Sequence, residues 1–259
     1  MQDRYFGDIG DFAKYGLLRA VTAGKPPLSL AVLWYLVPDE SHNKDDRHID
    51  YLKQTQKNQV RFRSWDPELW DQLHALVDAG VRRVSAVAEH SLLPSTTVYH
   101  DAALDYSTIS IGKRPSHRER WLEGAVASAA KADVVFLDPD NGLEVDSVGP
   151  CDALGPKYTF YRDLTELPPG KSLVIYQHAS REGSFEEQLE RRMDDLRDLL
   201  GLPSANLMAM RWRRISARAF ILAVADAHRT ELQKRLAAML AGPWARHFEL
   251  VPAVHLERV

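Results

Sequence analysis

The sequence has little of several things, and each shortage excludes a class of protein. Cys151 is its single cysteine, so the chain has no internal disulfide and no metal site built from several cysteines. No apolar run reaches the roughly 18 to 20 residues that a membrane-spanning helix needs. The first twelve residues, MQDRYFGDIGDF, lack the apolar core of a signal peptide. These observations predict a cytoplasmic protein without a membrane segment.

An excess of positive charge is also missing. The 259 residues include 33 lysines and arginines against 36 aspartates and glutamates, a formal net charge of −3 with neutral histidines. This balance argues against holding nucleic acid through overall charge, although it is compatible with a local basic face. Hydrophobic residues make up 45% of the chain, enough at this length to bury the core of one large domain.

Apolar runs alternate with amphipathic stretches, a pattern typical of a mainly parallel sheet covered by helices on both faces. Strands are predicted at 28–37, 81–87, 97–100, 134–138, 172–176, 207–212, 219–224 and 247–251. Helices are predicted at 11–21, 66–76, 116–131, 184–200 and 227–240. We expect one Rossmann-like α/β domain over residues 1–259, with an antiparallel hairpin near the C-terminus. Residues 39–66 and 142–170 are predicted insertions or lids, because connections of this length usually have a function of their own.

The stretch VVFLDPDNG, residues 134–142, gives the strongest signal for a functional site. Pro139 cannot continue a central strand, so the buried strand ends at Asp138. Ligands of open α/β sheets bind at the carboxyl ends of strands, which makes Asp138, Asp140 and Asn141 candidate catalytic residues. The alternative is a turn in which these side chains cap the following backbone. As a solvent-facing carboxylate, Asp138 is expected to contribute little to stability.

Polar side chains also follow two other predicted strands. His178, after the strand at 172–176, is a candidate general base, with Arg181 as an anion clamp; capping of the next helix is the competing interpretation. We expect the strands ending near Val37, Asp138 and Tyr176 to lie side by side. The loop after the first strand is crowded with polar residues: Asp39, Glu40, His42, Asn43, Asp45, Asp46, Arg47, His48 and Asp50. It predicts either oxygen ligands for a divalent cation or a solvated loop.

Arginines flank Trp212 on the predicted hairpin, at Arg211, Arg213, Arg214 and Arg218. Basic residues interleaved with an aromatic side chain can bind single-stranded nucleic acid by phosphate contact and stacking. The same pattern also protects an edge hairpin from aggregation, so the sequence leaves both interpretations open.

The order of these motifs resembles that of the RlmJ-type adenine methyltransferases of ribosomal RNA, which are class I S-adenosylmethionine (SAM) enzymes. Their opening motif, Gly-Asn-His-Ala-Asp-Val-Leu-Lys-His, is similar to residues 7–15, which keep Gly7, Asp11 and Lys14 at the same spacing. Their catalytic Asp-Pro-Pro-Tyr is similar to Asp138-Pro139-Asp140-Asn141. Three features depart from the family, one of them the lack of an acidic residue for the ribose hydroxyls at a second strand end, where Glu89 is a weak candidate. VPDESH at 37–42 replaces the glycine turn after the first strand, and Asn141 replaces the aromatic residue that would stack on a flipped base.

The resemblance implies a methyltransferase-type sheet and transfer of a methyl group from SAM to a nucleobase or other amine, in nucleic acid or in a small molecule. The implied catalytic residues are Asp138, Asp140, Asn141 and His178, and the implied cofactor-binding residues are Gly7, Asp11, Lys14 and Asp39. An alternative hypothesis is a metal-dependent nuclease or phosphodiesterase that binds magnesium or manganese through Asp138, Asp140, Asp45 and His48. A third is a non-catalytic binding scaffold.

Overall fold

A seven-stranded sheet forms the centre of the computed structural model, which describes residues 1–40, 48–180, 183–213 and 217–253. Its strand order is β2-β1-β3-β6-β8-β7-β9, and β4 and β5 pair in a small separate sheet. The strands are β1 Leu30–Trp34, β2 Val98–His100, β3 Val134–Asp138, β4 Gly142–Leu143, β5 Tyr158–Thr159, β6 Ser172–His178, β7 Leu207–Trp212, β8 Arg218–Ala223 and β9 Phe248–Pro252.

The helices include five long ones that follow the five predicted amphipathic stretches closely. Within the described residues the α-helices are α1 Ile9–Thr22, α2 Gln56–Asn58, α3 Pro67–Asp78, α4 Ala86–Glu89, α5 Arg114–Ala129, α6 Tyr161–Thr165, α7 Phe185–Leu200 and α8 Arg229–Ala241. Turns of 3₁₀ helix lie at Asp3–Tyr5, Asp50–Leu52, Ile111–Lys113, Gly155–Lys157, Ser204–Asn206, Asp226–His228 and Pro243–Arg246, and a π-helical turn at Gln59–Arg63. The two predicted insertions therefore contain short elements of their own.

Strand directions confirm a mainly parallel sheet that ends in antiparallel strands. The strands β2, β1, β3 and β6 are parallel neighbours, whereas β8 runs antiparallel to both β6 and β7. The last strand, β9, is antiparallel to β7. Five strands thus point one way, and only β8 and β9 are reversed. The predicted adjacency of the strands ending near Val37, Asp138 and Tyr176 is confirmed, since β1, β3 and β6 are consecutive in the sheet.

Helices cover both faces, as the alternation of elements predicts. Leu30, Val32 and Trp34 of β1 face a core shared with α1, α3 and α8. Ala31 and Leu33 face a second core shared with α5 and α7. Because both faces of β1 are buried, its sequence is a continuous apolar run instead of an alternating one.

The strand predicted at 81–87 is wrong. The chain there makes helical i→i+3 backbone bonds, such as Val87 N to Val84 O at 3.0 Å, and leads into α4. Val84 and Val87, three residues apart, are both buried against the core. Their spacing is that of one helical face, and an apolar run this short does not distinguish a helical turn from a strand.

Candidate functional site

The N-terminus of α1 is fixed at the carboxyl ends of the central strands by a capped turn. Asp8 is the N-cap residue, and its side chain accepts a hydrogen bond from Asp11 N at 2.8 Å. Gly7 adopts a positive φ of 78°, and its amide donates to Asp11 Oδ2 at 3.1 Å. The turn requires glycine because other residues are strained at this φ. Gly7 thereby orients Asp11 within the first turn of α1.

Lys14 joins α1 to the tip of β3 through two buried ion pairs. Its Nζ lies 2.8 Å from Asp11 Oδ1 and 2.8 Å from Asp138 Oδ2. Tyr15 donates its hydroxyl proton to Asp11 Oδ2 at 3.1 Å, so both oxygens of Asp11 are engaged. Asp138 is only 2% exposed, and the expectation that it is a solvent-facing carboxylate is wrong. The last residue of β3, Asp138, lies beneath α1. The sequence pattern around Asp138 does not reveal this contact, because α1 lies far away in the sequence.

Burial and charge act against each other in this ion pair. Burial by itself would lower the pKa of Lys14, but the Asp11 and Asp138 carboxylates raise it above its ordinary value. For Asp138, burial raises the pKa, and the Lys14 ammonium opposes that rise. We take the pair as ionic, because one ammonium lies at hydrogen-bonding distance from two carboxylates and favours their charged forms.

Asp140 belongs to a second charged network, which runs along the tip of β1. Its Oδ2 accepts a hydrogen bond from Gln2 Nε2 at 2.7 Å and lies 3.5 Å from Lys157 Nζ, which also pairs with Glu40 at 2.5 Å. The Met1 amino group lies 3.4 Å from Asp140 Oδ1. Burial by itself would raise the pKa of Asp140, but these neighbours lower it below its ordinary value. Asp140 is therefore a carboxylate at neutral pH.

Met1 and Gln2 cover the tip of β1 between that strand and β3. The Met1 amino group donates to Tyr35 O at 2.6 Å, and Val37 N donates to Met1 O at 2.9 Å. Gln2 is fully buried, and its side chain also accepts a hydrogen bond from Glu40 N at 2.9 Å. The SAM enzymes of the resembling family have their glycine turn after the first strand. In this protein the backbone amides at that position, those of Val37 and Glu40, donate hydrogen bonds to Met1 and Gln2.

A cavity of about 490 Å³, the main cavity, opens beside these networks. Charged groups of both signs line it, together with two tyrosines: Met1, Tyr5, Asp8, Asp11, Lys14, Glu40, His48, Asp138, Pro139, Asp140, Asn141, Lys157, Tyr176, His178 and Arg218. Its volume falls within the range of small-molecule sites, roughly 300 to 1,000 Å³. The strand tips that the sequence singled out thus meet at one concave site.

Arg218 is the site residue that the sequence assigned to a different role. It begins β8 directly opposite His178 of β6, and its guanidinium lies 6.0 Å from the centre of the Tyr176 ring. A Cβ atom at position 10 would overlap that guanidinium, so a glycine at this position leaves space for the Arg218 side chain. Burial alone would lower the pKa of Arg218, but Tyr176 and Asp8 raise it above its ordinary value.

Most of the predicted site residues meet in the main cavity, and a few do not. Those that line it are Asp11, Lys14, His48, Asp138, Asp140, Asn141 and His178. Gly7 is not a lining residue and acts through Asp11, and Asp39 is exposed and accepts a hydrogen bond from Arg4 N at 3.1 Å. Asp45, Asp46, Arg181 and Arg214 lie outside the described residues. Lys157 was missed because it lies in the predicted 142–170 insertion, where no local pattern distinguishes it.

Four of the carboxylates that line the cavity, those of Asp11, Glu40, Asp138 and Asp140, are paired with lysine side chains. Lys14 contacts Asp11 and Asp138, and Lys157 contacts Asp140. Within residues 1–40, 48–180, 183–213 and 217–253, no group of three or more His, Cys, Asp or Glu side chains is arranged to hold a metal ion. A metal ion at Asp138 would compete with the Lys14 ammonium for its carboxylate.

Comparison with known proteins leaves the function to be inferred from this geometry. No protein-family model, curated protein or solved structure matches the chain. In the part of the chain that the structure describes, every helix is too short or too polar to cross a membrane. Because a fold alone does not determine a function, the residues of the main cavity must carry the inference.

Proposed function

We propose that this protein is a SAM-dependent methyltransferase that acts on an amine nitrogen. The position of Asp138 carries the proposal. It ends β3, between β1 and β6, and Lys14 ties it to a helix that precedes β1. The resemblance likewise implies a lysine motif that precedes the first strand and an Asp-Pro motif that ends the catalytic strand. The reversal of β8 between β6 and β7 also supports a methyltransferase-type sheet.

The donor set of the main cavity fits the charged half of SAM. SAM carries a carboxylate, an ammonium and a sulfonium group, and it supplies an electrophilic methyl group when bound. Arg218 would hold the carboxylate, and the carboxylates of Asp8 and Asp140 would face the cationic groups. The tip of β1 takes no part in this fit, because Met1 and Gln2 cover it.

Asp138 is suited to hold the acceptor amine. Lys14 fixes Oδ2, and no described residue donates a hydrogen bond to the other oxygen, Oδ1. That oxygen can accept an N–H of the amine and so orient the nitrogen lone pair, while Lys14 keeps the carboxylate charged. Catalysis of this kind is mostly positioning.

His178 is the proton acceptor in this proposal. It ends β6 and lines the main cavity next to Asn141, and its amide donates to Asn141 O at 3.3 Å. Histidine titrates near neutral pH, so a neutral ring can take the proton that the amine loses on methylation. Burial raises the pKa of Tyr176 to about 12, so its hydroxyl stays protonated and does not compete for that role.

Calorimetric titration of SAM into the wild-type protein and into Asp138→Asn tests the proposal. We expect both to bind SAM with similar affinity, because Asp138 holds the amine and not the cofactor. Methyl transfer to amine substrates should require Asp138 and survive Asp71→Asn, a control carboxylate that forms an exposed pair with Arg63. Absence of SAM binding to the wild type would overturn the proposal. Binding of manganese instead would favour the metal-dependent hydrolase.

A further inference from the structure

A second cavity, here the side cavity, adjoins the main cavity at the tip of β6. It has a volume of about 440 Å³, and the residues that line it include Asn141, Gln177, His178, Gln188, Arg191 and Arg192. Asn141 and His178 line both cavities, so a ligand that reaches Asp138 in one can extend past them into the other.

The two cavities differ in charge. The main cavity includes the carboxylates Asp8, Asp11, Glu40, Asp138 and Asp140. Among the described residues that line the side cavity there is no acidic side chain, and Arg191 and Arg192 of α7 are its permanent charges. The side cavity is therefore cationic and favours an anionic group.

The two arginines are held differently. Arg192 donates to Tyr161 Oη at 3.1 Å and to Glu144 O at 2.5 Å and lies 3.9 Å from Asp195 Oδ2, which fixes its guanidinium at the wall. Arg191 is exposed, so its side chain can adjust to a ligand. At the junction of the cavities, no described residue hydrogen-bonds to the side-chain amide of Asn141. These three groups form a set of hydrogen-bond donors suited to phosphate oxygens: the fixed guanidinium of Arg192, the adjustable one of Arg191 and the side-chain amide of Asn141.

We infer that the side cavity binds a phosphate group, so that the acceptor is a small amine carrying a phosphate monoester. This inference rests on the proposed function. The guanidinium groups of Arg191 and Arg192, the latter partly offset by Asp195 at 3.9 Å, favour a phosphate monoester, which carries about −1.5 to −2 at neutral pH. The formal net charge of −3 disfavours a long polyanion. The amine would lie at Asp138 and the phosphate between Arg191 and Asn141.

Adenosine 5′-monophosphate and adenosine are a suitable pair of probes, because both carry an amine and differ only in the phosphate. We expect calorimetry at low salt to show the monophosphate binding at least tenfold more tightly. Arg191→Ala should remove most of that advantage and leave adenosine binding unchanged. Arg197→Ala is the matched control: Arg197 lies on the same helix and pairs with Asp194 and Asp198. It should preserve the full advantage.

Equal binding of the two probes, or binding of neither, would overturn the inference. Equal losses of the monophosphate's advantage in the two variants would also overturn it, as would tighter binding of single-stranded oligoadenylate than of the monophosphate. These titrations contain no SAM, so they separate the two proposals. A protein that binds the monophosphate through Arg191 but does not bind SAM would refute the methyltransferase and not the phosphate site.

Discussion

Replacing Lys14 with methionine tests the electrostatic centre of the site. The substitution keeps an unbranched side chain of similar length but removes the ammonium from between Asp11 and Asp138. Both carboxylates then stay buried without the cation that lies 2.8 Å from each. Breaking a buried ion pair by removing one partner typically costs about 3 to 5 kcal/mol. We expect Lys14→Met to lower the free energy of unfolding by this amount at pH 7.

Urea unfolding followed by tryptophan fluorescence measures the loss, since the chain has 6 tryptophans. Lys53→Met is the matched control, because Lys53 forms the same i,i+3 pair with Asp50 but both side chains are exposed. Exposed pairs contribute at most about 1 kcal/mol. A loss for Lys14→Met no larger than that of the control would refute the description of the site as a buried ionic network.

The pH dependence of the variant follows from the same carboxylates. Burial raises the pKa of Asp138 in the folded state, and without Lys14 no cationic side chain among the described residues lies at that distance to oppose the rise. The folded state then binds more protons than the unfolded state above the ordinary carboxylate pKa, so stability increases as the pH falls. We expect Lys14→Met to recover part of its loss between pH 7 and pH 5, and the wild type to change less. A loss that is constant over this range would contradict this reasoning.

Two further substitutions test how the fold holds the site. Gly10→Ala should displace the Arg218 guanidinium and weaken SAM binding about tenfold, because one charge-assisted hydrogen bond is lost, and it should change stability little. Gly112→Ala is the control for the calorimetry, because a side chain at position 112 would enter open space. Equal affinities would contradict a role for Arg218. Arg118→Met should lower the free energy of unfolding in urea by about 3 to 5 kcal/mol and increase proteolysis within 144–160. The reason is that the buried Arg118 pairs with Asp163 and donates to Tyr158 O at 3.1 Å. Unchanged stability and cleavage would contradict that anchoring role.

The sequence by itself determined where the long helices and most of the strands of the main sheet lie. The apolar run at 134–137 is buried on both faces, and Pro139 stops it, so Asp138 had to end a central strand. Local hydrogen bonds fixed several helix starts, such as the capping box of Ser184 and Glu187 at α7. These features depend on neighbours within a few residues, which a sequence displays directly.

Tertiary structure alone decided the charge state and the walls of the site. The sequence places Asp138 at a strand tip but not under Lys14, which is 124 residues away and arrives because α1 packs over β3. Arg218 enters the site because β8 pairs with β6, which brings it opposite His178. Whether a carboxylate faces solvent or a buried ammonium depends on such long-range packing. For that reason the position of the site could be predicted from the sequence, and its electrostatics could not.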